Sequence, residues 1–226
     1  FILLALITLA WFALRMPETL VPENRAPFSL KRIVSATGEI LRIRPALGYT
    51  ITAGLVSGAH LAYLNSAQQV FQEQYELGDL FPIYFAVIAF SIGFASFINA
   101  RLVMRFGMRF LVRWYLIAIL GLAIIAFVIA LLAGGQPPLW FLMAYFMMTF
   151  FGIGILFGNQ NSLAMEPLGQ FAGIGAAIVG SLSTFISVPL GTIIGQSYNG
   201  TILPLVVGIA VLAGLSLVVV RWIESG

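Results

Sequence analysis

Three observations predict an all-α polytopic membrane protein built as a six-helix bundle. Hydrophobic residues make up 61% of the 226-residue chain and charged residues only 8%, against about 25% charge in soluble domains. The mean hydropathy is +1.04. The apolar residues also fall into runs of about 20, the length a helix needs to cross about 30 Å of hydrocarbon.

The same composition excludes several classes of function. The chain has no cysteine and one histidine, which excludes disulfides, thiolate metal sites and a histidine metal cluster. A pI near 9.5 would suggest nucleic acid in a soluble protein. Here the basic residues flank apolar spans and read as topology signals, so no nucleic-acid partner is expected. The sequence holds no nucleotide loop, no paired intramembrane carboxylates and no nucleophile beside a base. Neither an enzyme nor a cofactor is expected.

Taken in order, residues 1–14 are apolar but too short to cross a bilayer, and they read as the end of a helix belonging to a longer polypeptide. A cleavable signal peptide is the competing reading. It lacks a basic start and a small-residue cleavage site before Arg15. Residues 15–45 form a basic connector with Pro17, Pro22 and Pro27 and six basic residues: Arg15, Arg25, Lys31, Arg32, Arg42 and Arg44. Its second half interleaves Leu30, Ile33, Val34, Ile40, Leu41 and Ile43 with charge, the pattern of a helix lying along a membrane surface.

Residues 46–220 hold six spans, at 46–71, 81–100, 110–133, 139–158, 172–196 and 201–220, followed by a tail at 221–226. The joints are 72–80, 101–109, 134–138, 159–171 and 197–200, short enough to make sequential spans antiparallel. The stretch 158–196 organises the bundle. A polar turn carrying Asn159, Gln160, Asn161 and Glu166 is closed by Pro167 and Gly169, and a span rich in small residues follows. Gly173, Gly175, Gly180, Gly191 and Gly195 would let that span approach its neighbours closely.

Alternate joints hold every basic residue. The connector has six, residues 101–113 have four and the C-terminus has Arg221, which accounts for all 11. The positive-inside rule makes that side cytoplasmic, with Glu73, Glu76 and Asp79 on the other side and the C-terminus inside.

Particular residues carry a family resemblance. Met16-Pro17-Glu18-Thr19-Leu20 after an apolar helix, then a basic connector and six spans, resembles the centre of a major facilitator superfamily transporter. The run from Asn161 to Gly173, Asn-Ser-Leu-Ala-Met-Glu-Pro-Leu-Gly-Gln-Phe-Ala-Gly, is similar to the joint between helices 10 and 11 in the Bcr/CflA drug-resistance subfamily of proton antiporters. Gly158-Asn159 and Gly175-Ala176-Ala177 stand where members of that subfamily often carry Pro-Asn and Ala-Ser-Ala. The joint containing Arg101, Arg105, Gly107 and Arg109 is similar to the superfamily's basic gating loop, without its leading Gly and its Asp.

The resemblance implies that the chain runs from late helix 6 through helix 12 of a twelve-helix fold. It further implies a C-terminal half of a proton-coupled exporter of small apolar drugs, in the inner (plasma) membrane, multi-pass, with a cytoplasmic C-terminus. Energy would come from the proton gradient. The implied partners are a small-molecule substrate, membrane lipid and an N-terminal six-helix half on the same polypeptide, together making a monomer. The proton-coupling acids of that family lie in the N-terminal half, so residues 1–226 alone are expected not to transport. A facilitator of a sugar or organic anion, or a membrane scaffold whose spans only pack, are the alternatives.

Candidate site residues are few. His60 lies near mid-span, where an ionisable group is costly and usually faces a bundle interior or cavity. It reads either as a cavity-lining, proton-linked group or as a neutral histidine bonded between helices. Ser57, Leu64 and Gln68 share its helical face, with Tyr49 close by. Gly54, Gly58, Asn65 and Gln69 form the adjoining face, and the Gly54 to Gly58 spacing suits helix contact. Helix 7 borders the central cavity in the resembling family, which makes Asn65, Gln68 and Gln69 candidate substrate contacts, against plain polarity of the outer end. Met143, Phe146, Met147, Phe150 and Phe151 form either an adaptable drug-contacting surface or a lipid and packing surface. Asn99 reads as an interfacial group, Glu166 as a helix-end charge or the partner of a loop arginine rather than a catalytic acid, and Pro189, beside Gly191 and Gly195, as a bend in its span.

Overall fold

The computed structural model describes residues 2–17 and 30–225, without the side chains of 30–33, 170 and 171. The Glu18 to Leu20 part of the family-like stretch, together with Pro22, Arg25 and Pro27, lies outside the described residues. The chain divides into two units, residues 1–34 and 35–226. The first holds α1 (Ile2–Arg15), a 14-residue helix with no buried side chain. At that length it is too short to cross a bilayer.

The second unit carries the fold. Helix α2 (Leu30–Arg42) begins in the first unit and places Ala36 and Ile40 in the core of the second. Six helices follow: α3 (Arg44–Gln68), α4 (Phe81–Phe106), α5 (Met108–Leu132), α6 (Leu139–Met165), α7 (Ala172–Gln196) and α8 (Leu203–Glu224). Prolines in the first turns of α3, α4 and α8 mark where those helices begin, positions where the missing N–H costs nothing. A π-helical turn, Gln69–Gln74, prolongs α3.

Five of the helices, α4 to α8, are long and apolar enough to cross a membrane. The remaining helix of the expected six, α3, has the length, 25 residues, but is less apolar than the other five. Helices α6, α7 and α8 cover it on all but one face. Tyr49, Thr50, Thr52 and Ser66 are all buried within the bundle, and each of its two threonines returns its hydroxyl to a carbonyl of its own helix.

Two joints also differ from expectation. The 101–109 joint shrinks to one residue: α4 runs to Phe106 and Gly107 alone breaks the helix at φ 79° and ψ 155°, a conformation that glycine adopts without strain. At the other, α6 continues through Asn159, Gln160 and Asn161 to Met165, and the turn is the 3-10 segment Glu166–Phe171, with Leu168 out of helical geometry. Asn159 and Gln160 are buried there, so polarity near a span end does not mark a turn.

The helix pairing is symmetric. Helix α3 packs on α7, α8 and α6, α6 packs on α4, α5 and α3, and α5 meets α8. Exchanging α3–α5 with α6–α8 maps the pairing onto itself. Because short turns alternate the helix directions, α3 and α6 run oppositely, so the two three-helix repeats are inverted. The most extensive seam is α3 on α7. A Cβ on Gly191 would lie 2.6 Å from Leu61 Cβ and 3.1 Å from the Gly58 carbonyl oxygen.

The two ends of the bundle are tied differently. At the arginine-rich end Arg109 faces Glu166 and Arg113 faces Glu224, both at 3.6 Å. Arg44 there donates to the Trp222 carbonyl and to Ser225 Oγ. At the opposite end neutral groups do the same work: Gln74 donates to the Gly135 carbonyl at 2.9 Å, and Tyr75 donates to the Pro137 carbonyl.

Candidate functional site

From Ser57 onward α3 has one face that its neighbours leave uncovered, formed by Ser57, His60, Leu61, Leu64, Asn65 and Gln68. The spacing of three and four makes this a continuous stripe. Four of its six residues are polar. Tyr49, expected close to this stripe, is 1% exposed and belongs to the core instead.

His60 is the one ionisable group of the stripe. Its ring stands edge-on to Phe150 at 5.5 Å and to Phe157 at 5.7 Å, both from α6. Its Nδ1 is buried without a hydrogen-bond partner among the described residues. One turn on, Tyr63 lies 4.5 Å from Phe150 and stacks on Phe85 of α4 at 6.0 Å, with its hydroxyl likewise unpartnered. An imidazole held by aromatic edges on one side and open on the other can change protonation or accept a ligand hydrogen bond without breaking an internal one.

Toward the end opposite the arginines, Asn65 and Gln69 meet Thr192, Gly195 and Gln196 of α7 around a cleft of about 270 Å³. All its polar side chains are neutral. The sequence reading named Asn65 and Gln69 but missed Thr192 and Gln196, whose spacing of four on α7 was the available signal.

The other expected residues separate. Met143 is half-buried and packs on the core. Met147 is 39% exposed and lies with Phe151 and Met148 in a groove of about 740 Å³ between α4, α5 and α6. The methionine and aromatic surface of α6 is therefore split: Phe146 and Phe150 face Tyr63 of α3, while Met147 and Phe151 line the groove. Arg101 and Arg105 occupy the last turns of α4, Gly107 forms the break and Arg109 lies in the first turn of α5. Gly54, Gly58 and Gly191 pack at the α3–α7 seam, whereas Gly173 and Gly180 have nothing within 4 Å of an added Cβ. Pro189 is exposed inside α7, which remains one helix from Ala172 to Gln196.

Asn99 also differs from its interfacial reading. It is half-buried and bonded to Asn159 of α6, so the pair links two helices.

Inverted three-helix repeats with a polar, partly uncovered helix among them are an architecture that secondary transporters use. Sequence comparison narrows the class: the Major Facilitator Superfamily matches residues 1–192, and the chain belongs to it. The chain is 30% identical over 184 residues to the uncharacterized MFS-type transporter YdgK of Bacillus subtilis, covering 81% of this chain and 45% of that protein. It is 25% identical over 194 residues to a bicyclomycin resistance protein homolog of Haemophilus influenzae, covering 84% of this chain and 47% of that one. The chain thus spans about half the length of these curated relatives. No solved structure gives a significant match.

Proposed function

We propose that the chain forms the C-terminal half of a proton-coupled exporter of small apolar drugs, working by alternating access against a second six-helix bundle. The observation that carries this reading is His60, an ionisable side chain midway along the helical segment 44–74, open on one side and bounded by Phe150 and Phe157 on the other. Ser57, Asn65 and Gln68 continue its stripe and would line the substrate path. The resistance-protein relative supports a drug as cargo. The uncovered faces of α3 and α7 are where the second bundle would dock, giving a monomer when complete. The arginine-rich end is read as the cytoplasmic side of the inner membrane, with the C-terminus on that side. The proton gradient supplies the energy, and no cofactor takes part.

A second reading rests on the neutral cleft of Asn65, Gln69, Thr192 and Gln196. Those groups suit an uncharged, hydrogen-bonding solute carried by facilitated diffusion.

The test uses the complete gene product in inverted membrane vesicles with an imposed proton gradient followed by a pH-sensitive dye. Apolar drugs should discharge the gradient, and His60→Ala should reduce that discharge severalfold. Discharge that is unchanged in His60→Ala removes His60 from coupling. Counterflow of a neutral polar solute without drug-driven proton movement would replace the exporter with the facilitator.

A further inference from the structure

The 740 Å³ groove lies away from the α3 stripe and has a different chemistry. Helices α4 and α5 meet sparsely, around Leu102, Val103, Leu111 and Tyr115 near the Gly107 break, and splay apart from there with α6 behind them. Phe90, Phe94, Tyr115, Met147, Met148 and Phe151 furnish half of the lining residues. Its one aliphatic hydroxyl, Ser91, is already donated to the Ile88 carbonyl at 2.6 Å. A drug-sized polar ligand would find almost nothing there to orient it, whereas a hydrocarbon chain needs nothing more.

The end of the groove supplies the rest. On α4, Arg101 and Arg105 follow Phe94 by seven and eleven residues, which puts both on its helical face. Arg101 lies over the Phe97 ring at 6.0 Å and Arg105 over Phe106 at 5.1 Å, and neither meets an acid among the described residues. The arginines of the facing helix differ: Arg109 and Arg113 are each paired with a glutamate. At 1.5 Å per residue, Phe94 and Phe90 lie about 10 Å and about 16 Å from Arg101 along the axis. One leaflet of hydrocarbon is about 15 Å deep. The spacing from charge to groove is that of a phospholipid.

We propose that the groove between α4 and α5 holds an acyl chain of an anionic phospholipid whose headgroup is bound by Arg101 and Arg105. The site is independent of what the protein transports.

The full-length product, purified in mixed micelles, is examined by native mass spectrometry for retained phosphatidylglycerol against phosphatidylcholine of the same chain length. The wild type should retain phosphatidylglycerol preferentially, and each arginine should contribute about a fivefold preference. R101Q/R105Q should abolish that preference, R109Q/R113Q should leave it intact, and Ala118→Phe, which fills the groove, should lower retention of both lipids. A preference unchanged in R101Q/R105Q, or one lost in R109Q/R113Q instead, would overturn the site. Undiminished retention in Ala118→Phe would overturn the acyl-chain assignment.

Discussion

Asn99 and Asn159 face each other across the α4–α6 contact, with Asn159 Nδ2 donating to Asn99 Oδ1 at 2.9 Å and also to the Ile155 carbonyl at 2.8 Å. Asn159 is only 2% exposed, so its amide left alone would have no water to turn to. Asn159→Ala should lower stability by about 1–2 kcal/mol, the lost interhelical bond plus the unmet Asn99 amide. Asn99→Leu with Asn159→Leu should cost less than the sum of the single leucine changes, because both polar groups then go together. Thermal unfolding of the four proteins in detergent reads this directly, and strict additivity would mean that the pair does not act as a unit.

Gly191 and Gly180 lie on one helix and should respond in opposite ways to the same change. At Gly191 an added methyl meets Leu61 and the α3 backbone at 3.1 Å or less. Gly191→Ala should therefore push α3 from α7 and cost about 1–3 kcal/mol. At Gly180 nothing lies within 4 Å, so Gly180→Ala should be neutral or gain up to about 1 kcal/mol from helix propensity. Equal effects in a thermal unfolding assay would contradict the seam.

This contrast also shows what the sequence could convey. Composition and run length located apolar helices such as α7, 172–196, but not the far ends of α4 and α6, which continue to Phe106 and Met165. Period alone exposed the Ser57, His60 and Gln68 stripe, because a helical face is a local property. Which glycines touch a neighbour is not local: Gly173, Gly180 and Gly191 look alike in sequence, and only Gly191 has α3 against it. The same limit explains Asn159, whose partner is 60 residues away, and Met147, which lies in the groove with α4 and α5 rather than against His60. Arg101 and Arg105 read as a loop because charge usually ends a span, yet arginine is a good helix former and only Gly107 breaks the chain.

Arg44 should tolerate lysine poorly. Its guanidinium donates to the Trp222 carbonyl and Ser225 Oγ at the end of α8 while lying 4.7 Å over the Trp222 ring. A planar guanidinium keeps its face on the indole while its in-plane Nη2 donates both bonds, an arrangement the tetrahedral ammonium of a shorter side chain does not repeat. Arg44→Lys should lose about 1 kcal/mol and Arg44→Ala about 1–2 kcal/mol. Protease accessibility of the α8 terminus should increase in the same order, and full rescue by lysine would show that charge alone suffices.

Tyr75 should confer an alkaline limit on the opposite end of the bundle. It lies in the joint beyond the π-helical turn, and its hydroxyl donates to the Pro137 carbonyl, tying the α3–α4 joint to the α5–α6 joint. Burial pushes its phenol up from the ordinary 10.0 to about 12. The protonated form is therefore the one the fold prefers. Its contribution is fully present below the unfolded value and is lost as pH rises through the folded one. Unfolding midpoints should accordingly hold steady up to about pH 10 and then fall toward about pH 12. Tyr75→Phe removes the hydroxyl and should lower the midpoint at neutral pH while flattening this part of the profile. A profile equally steep in the variant would assign the alkaline transition to other groups and leave Tyr75 as a neutral link only.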